Sequence, residues 1–328
     1  MKRSTASIDQ DRTRRVTAPG PSQDMAYTLR DFGSYTVGGH LHHVAQGEIR
    51  EIQVTRDTAI PYDPRGHFAV AQTYVQYFIP ATRRDAPPVV LVHGGGMSGS
   101  TWETTPDGRP GWLHRLLDRG YEVHVVDMVE CGRAGFAPQV MGPDPILRSL
   151  EEAWALFRFG PAAGFDDRRP FSGQQFPVHA LSALAARFAP RWIGTSGLQT
   201  AGLLAVLART GPAFVICHSQ GGEMTFDAYA ARPDLFSGIV AIEPSALPAG
   251  QTSFAQCPLT LVQGDYLDAA PHWSARRDAW ATLFTRVTKA GAPARLIDTV
   301  TEVATGGSHM LMMDRHSDAV LEAAVSVP

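Results

Sequence analysis

The sequence predicts an α/β protein: a mostly parallel central sheet with antiparallel N-terminal strands, helices on both faces and an inserted helical cap. Three observations carry this. Short, continuous apolar runs such as Pro88-Val89-Val90-Leu91-Val92 recur along the chain, as in strands buried on both faces. Helical patterns alternate with those runs, which is the rhythm of a right-handed, doubly wound sheet. The rhythm is missing between about 136 and 210, where proline, glycine and aromatic residues separate three helical stretches. A break of that length reads as an insertion over the carboxyl ends of the strands, where open α/β sheets bind ligands.

The elements follow in order. Residues 1–25 are polar, with Arg3, Arg12, Arg14 and Arg15 before Pro19-Gly20-Pro21, and read as a disordered tail. Gly33–Val44, Glu48–Thr55 and Phe68–Pro80 are strand-like and precede any helix pattern, so an antiparallel edge comes first. In the second of these, Glu51, Gln53 and Thr55 alternate with Ile52 and Val54, the period of a half-exposed strand. The apolar run at 88–92 ends in His93-Gly94-Gly95-Gly96. Trp112–Arg119 is a helix with Leu113, Leu116 and Leu117 on one face. Tyr121–Val126, Ala213–Cys217, Gly238–Ile242, Leu259–Val262 and Ala294–Ile297 are further strands. Within the break, Leu150–Phe159, His179–Phe188 and Leu198–Ala208 are helical, and Asp318–Val325 is a C-terminal helix. The domain reading is therefore a core of 26–135 and 211–328 with a cap at 136–210.

Composition excludes several functions. The chain has 328 residues, 44% hydrophobic and 19% charged, with a formal net charge of −3. A balance so near neutral offers no basic face for nucleic acid or an anionic membrane, and no apolar stretch reaches the roughly 20 residues of a membrane span. Arg14-Arg15 lacks the apolar segment that a twin-arginine signal needs, so the expected compartment is the cytoplasm. Cys131, Cys217 and Cys257 are too scattered for a disulfide framework or a metal knuckle. No metal and no cofactor is expected.

The sharpest local signal is Cys217-His218-Ser219-Gln220-Gly221 between a strand and a helix. It is G-x-S-x-G with cysteine in the first glycine place. In such an elbow the serine is held strained at a sharp turn, and the following helix N-terminus favours negative charge beside its oxygen. The glycine run after the 88–92 strand supplies the second half. Acyl transfer places negative charge on a carbonyl oxygen, and each backbone donor aimed at it contributes about 2.7–4 kcal/mol. The expected donors are the N–H groups of Gln220 and Gly95, with Gly96 as neighbour. His93 is expected to brace this loop.

The order serine, carboxylate, histidine singles out His309, in the glycine-rich loop Gly306-Gly307-Ser308-His309, as the base. His272 reads as surface or cap-facing and His316 as solvated. Two carboxylates qualify as the acid. Asp265 follows the Leu259–Val262 strand and is favoured by position; Glu243 follows the strand before it. Glu103, Asp107 and Arg109 are candidates to hold the loop beside the oxyanion donors, and Asp127–Arg133 reads as a structural loop. Trp154, Phe157, Phe159, Phe171, Phe176 and Trp192 are candidate pocket residues.

The run Gly94–Arg109, containing Trp102-Glu103-Thr104-Thr105-Pro106-Asp107-Gly108, resembles a small group of atypical bacterial carboxylesterases in the α/β-hydrolase superfamily. So do His218-Ser219-Gln220, Val240-Ala241-Ile242-Glu243-Pro244 and Ser308-His309-Met310. The layout is also similar to lactonases that open zearalenone's ring. The resemblance covers about Gly33 to the C-terminus and is weakest in the cap. It implies that Glu243 is the acid, completing Ser219 and His309, and that the protein forms a homodimer. Those esterases can carry two adjacent cysteines in the oxyanion loop, where Gly95 and Gly96 stand here. The implied activity is hydrolysis of a carboxylic ester through an acyl-enzyme, with a lactone as the alternative substrate. A C–C bond hydrolase, a perhydrolase or a non-catalytic receptor on the same fold are further alternatives. Near-zero charge leads to the expectation of a neutral, apolar small-molecule substrate.

Overall fold

The computed structural model describes residues 26–137, 144–250 and 252–325. The expected tail at 1–25, and the part of the expected cap at 138–143, lie outside them.

Strand β1 (Leu29–Val44) pairs antiparallel with β4 (Gly66–Pro80), and β4 pairs antiparallel with β6 (Val123–Asp127). From there the sheet is parallel, through β5 (Val89–Val92), β7 (Ala213–His218), β8 (Phe236–Ile242), β9 (Leu259–Gln263) and β10 (Ala294–Asp298). The order is β1-β4-β6-β5-β7-β8-β9-β10. A separate hairpin joins β2 (Arg50–Thr55) to β3 (Thr58–Tyr62). The sequence reading has one strand there; Pro61, which cannot donate to a ladder, hides the second.

All four β5 residues are buried, as a central parallel strand requires. Alternate residues serve opposite faces. Val90 and Val92 join one core cluster, while Val89 and Leu91 join the other. On the first face pack α4 (Ser196–Thr210), α5 (Gly221–Ala231) and α6 (Pro271–Lys289), through Leu203, Val206, Leu207, Met224, Trp280 and Leu283. On the second pack α1 (Trp112–Asp118) and α8 (Ser317–Val325), through Trp112, Leu116, Val320 and Leu321. Between β10 and α8 lies the single-turn helix α7 (Thr299–Glu302).

The position of α4 corrects the expected cap. The stretch to residue 210 is assigned to the insertion, yet α4 packs on α5, β1 and β4. Gly202 lies so close to Thr73 that an added Cβ would sit 2.1 Å from its Oγ1. The α/β layering therefore resumes at Ser196. What precedes it is built from short pieces, α2 (Leu150–Leu156), α3 (Leu181–Ala185) and single 3₁₀ turns. In α2 the Ser149 side chain accepts from Glu152 N, and Glu151 and Glu152 complement the helix dipole.

The functional consequence is topological. The chain order reverses where β5 lies between β6 and β7. The loops after β5 and β7 thus leave the same edge of the sheet side by side, at the kind of switch point where α/β proteins bind ligands.

Candidate active site

β7 ends at His218 and α5 begins at Gly221, so the turn has only Ser219 and Gln220. Ser219 takes φ +51°, which side chains adopt rarely and at a cost of about 1–3 kcal/mol. Neighbouring backbone holds it there. Ser219 N donates to Ile242 O at 3.0 Å, and Ser219 O accepts from Gly222 N at 3.0 Å and from Ser245 N at 2.9 Å. A Cβ on Gly221 would lie 2.5 Å from His93 O, so only glycine lets this turn seat against the loop after β5.

That loop is fixed from beneath. His93 is buried; its Nδ1–H donates to Gly94 O at 2.7 Å and its Nε2 accepts from Met128 N at 3.1 Å. Both ring nitrogens are committed, and burial lowers its pKa, so His93 is a neutral brace. Asp127 accepts from Gly99 N at 2.6 Å and from Arg133 N and Nε, each at 2.8 Å. Above, the N–H groups of Gly95 and Gln220 meet no acceptor among the described residues.

Glu243 follows β8 at φ +42°, fully buried. Its Oε2 lies 2.6 Å from His309 Nδ1, and its Oε1 accepts from Gly264 N at 2.8 Å. Arg158 grips it from the other side, Nη1 to Oε2 at 3.0 Å and Nη2 to Oε1 at 2.5 Å. Burial pushes the carboxyl pKa up, but the Arg158 charge and the His309 hydrogen bond outweigh it, and the pKa falls to about 2. Glu243 is ionised throughout the ordinary range. Asp265, favoured by position alone, is engaged elsewhere. Its carboxylate accepts from Tyr266 N at 2.6 Å and Gly306 N at 2.8 Å, which pins the start of the His309 loop.

His309 is buried among Phe157, Trp273 and His218, with ring centroids at 5.5, 4.8 and 4.5 Å. Its backbone N donates to Phe157 O at 3.0 Å, and its carbonyl accepts from His218 Nε2 at 2.9 Å. Burial lowers its pKa despite Glu243, with Arg158 and Arg276 lowering it further. The ring is therefore neutral, with Nδ1–H on Glu243 and a lone pair on Nε2. Ser308, one residue earlier, binds Asp314 through both N and Oγ at 2.7 Å. Arg109 donates to the carbonyls of Met313 and Asp314 at 2.7 and 3.0 Å while holding Asp107 at 2.8 Å. The segment beside the glycine loop is thereby tied to the segment beside His309. His272 is exposed; His316, expected to be solvated, has both ring nitrogens buried.

Ser219, Gln220, Gly95 and His309 line one cleft of about 260 Å³. Of the six cap aromatics considered from sequence, Phe157 alone lines it. Phe159 stacks on Phe176 at 3.9 Å, Phe171 on Tyr266 at 4.6 Å and Trp192 on Phe136 at 5.3 Å, and Trp154 is fully buried. The lining is not purely the neutral, apolar one expected: Arg148, Arg191, Arg276 and Glu223 face this space beside Met97, Leu156, Phe157 and Trp273. Net charge is a sum over the whole chain and carries no information about one cleft. Sequence reasoning missed Arg158 and Trp273, whose ring lies 4.2 Å from the Arg158 guanidinium carbon. An arginine inside the otherwise apolar stretch Trp154-Ala155-Leu156-Phe157-Arg158-Phe159 is the one available signal.

The protein named probable secreted lipase phiG, from a fungal species (strain ATCC 74256), is 31% identical over 185 residues, covering 54% of this chain and 50% of that protein. The chain thus spans about half the length of the curated relative it matches. The structure described as a novel bacterial esterase is 29% identical, with a TM-score of 0.79 over 93% of this chain and 96% of that one. This match agrees with the resemblance to atypical bacterial carboxylesterases drawn from the motifs. Among the described residues no helix is long and apolar enough to cross a membrane. The profile of the alpha/beta hydrolase family matches residues 89–301, and the chain belongs to that family.

Proposed function

We propose that the protein is a serine carboxylester hydrolase with Ser219 as nucleophile, His309 as base and Glu243 as acid. The observation that carries this is the 2.6 Å contact between His309 Nδ1 and the buried Glu243 Oε2, behind a cleft that His309 lines together with a serine at positive φ. A bacterial esterase and a lipase among the similar proteins support the same class.

Ser219 Oγ attacks the acyl carbon while His309 Nε2 takes its proton. The carbonyl oxygen becomes an oxyanion and accepts from the N–H groups of Gly95 and Gln220. Glu243 stays ionised and stabilises the imidazolium. His309 returns the proton to the leaving alkoxide, and the alcohol departs. A water then gives its proton to His309 and attacks the acyl-enzyme; collapse releases the carboxylic acid and restores Ser219. A lactone opens by the same steps, its alcohol staying attached to the acid. The scheme uses no metal and no cofactor, and its substrate is a small molecule.

The test is hydrolysis of short p-nitrophenyl esters by the wild type and by Ser219→Ala. Loss of at least a thousandfold in kcat is expected. Turnover surviving the substitution would remove Ser219 from the mechanism.

A further inference from the structure

The cleft holds more positive charge than its own residues neutralise. Arg148, Arg191 and Arg276 line it, against Glu223 alone among the lining carboxylates. Arg148 is partly satisfied: its Nη1 lies 2.5 Å from Glu152 Oε1 and it sits over the Phe157 ring. Arg191 and Arg276 have no carboxylate within ion-pair distance among the described residues. Arg276 lies over the Trp273 ring, its guanidinium carbon 5.1 Å from the centroid. Arg191 is held by paired backbone hydrogen bonds with Ile146, at 2.8 and 3.1 Å. The Nε atoms of Arg148 and Arg191 are buried with no hydrogen-bond partner among the described residues. Arg191 also reaches the glycine loop, its Nη1 3.0 Å from where a Gly95 Cβ would lie.

Half-burying guanidinium groups without counter-charges is costly. An arrangement of this kind is stable against that cost when a ligand supplies the anion. Guanidinium matches a carboxylate by two parallel N–H···O bonds. Glu223 in the same lining favours one negative charge over the two of a phosphate monoester, and about 260 Å³ suits a small acid.

We propose that the ester cleaved in this cleft carries a free carboxylate, seated against Arg191 and Arg276, so that the substrate class is half-esters of small dicarboxylic acids. This rests on the ester-hydrolase reading above. Cleavage balances as already written: the ester C–O bond breaks, water supplies OH to the acyl carbon and H to the alcohol, and the carboxylate is a spectator that orients the substrate.

The experiment separates the two claims. Binding of monoethyl esters of the malonate-to-adipate series, each beside a neutral ester with an isopropyl group in place of the carboxylate, is measured by calorimetry on Ser219→Ala protein. The half-ester of best length is expected to bind about tenfold to hundredfold more tightly than its neutral partner. Adding Arg191→Gln or Arg276→Gln is expected to bring the ratio below threefold, and raising salt to shrink it. Arg191→Lys, which keeps the charge, is expected to retain part of the preference. Equal or weaker binding of the half-ester at every length, a ratio untouched by the arginine changes, or tighter binding of a phosphate-bearing ester would overturn the proposal. Turnover with the serine restored reports the other claim: hydrolysis without anion preference leaves the esterase reading intact and overturns the carboxylate seat, and anion preference without hydrolysis defeats the esterase reading and leaves only the carboxylate seat at Arg191 and Arg276.

Discussion

Replacing Arg158 by methionine removes the guanidinium that shares the Glu243 carboxylate with His309. The side chains of Arg158 and Glu243 are 1% and 0% exposed, so no water takes over the two hydrogen bonds lost at Glu243, and a third, from Arg158 Nε to Asp265 O at 2.8 Å, goes with them. Breaking such a buried pair costs about 3–5 kcal/mol, which lowers Tm by roughly 5–15 °C in a protein of this size. The pH profile gives a more specific readout. In the wild type, burial lowers the His309 pKa and Arg158 lowers it further. His309 acts in its neutral form, so activity falls as pH drops through that pKa, and the acidic limb of kcat/KM lies below the usual histidine value of 6.5. Without Arg158 the imidazolium has Glu243 to itself and the pKa of His309 rises. The Glu243 pKa also rises, since burial is then less opposed. Both changes move the acidic limb to higher pH. A displaced carboxylate also misorients the ring, lowering kcat by about 10–100-fold. The assay is kcat/KM from pH 4 to 9 with a thermal melt at each pH. An acidic limb that stays in place while Tm falls would reduce Arg158 to a packing role and refute the coupling.

Further expectations follow from the same geometry. Glu243→Gln should lower kcat by about 10⁴-fold, whereas Asp265→Asn, which loosens only the turn at Gly306, should cost stability and less than about tenfold in rate; steady-state kinetics of both decides between the two acids. Gly95→Ala places a Cβ 2.0 Å from Gln220 Oε1; displacement of that side chain and crowding of the oxyanion donors should lower kcat/KM by about 10–100-fold with little change in Tm. Burial raises the Asp314 pKa to about 7, so its ionised form is penalised in the fold. That penalty grows as pH rises from the ordinary aspartate value of 3.8 toward 7 and is complete above it. Asp314→Asn should therefore gain stability relative to the wild type between pH 5 and pH 8, measured by urea unfolding; a difference that is flat with pH would contradict it.

Particular residues show what the sequence could reveal. Val89–Val92, Ala213–His218 and Phe236–Ile242 are short apolar runs with chemistry at their ends, and burial on both faces leaves no other use for them. Ser219 and the glycines after His93 are legible because the elbow and the close backbone approach restrict residue type locally. Arg158 is not legible, because its partner Glu243 is 85 positions away and only folding joins them. Arg148, Arg191 and Arg276 come from three separate segments, so no window of sequence contains the charge cluster. α4 is misassigned to the cap because its helical pattern does not state which surface it covers; its contacts with β1 and β4 do.

The central claim is that Ser219 is a nucleophile activated by His309. Its most direct test is intact-mass spectrometry after brief exposure to a p-nitrophenyl dialkyl phosphate, followed by peptide mapping. One phosphoryl adduct on Ser219 is expected in the wild type, none in Ser219→Ala, and a rate lowered at least a hundredfold in His309→Ala. An adduct on another residue, or labelling of the wild type no faster than His309→Ala, would contradict it.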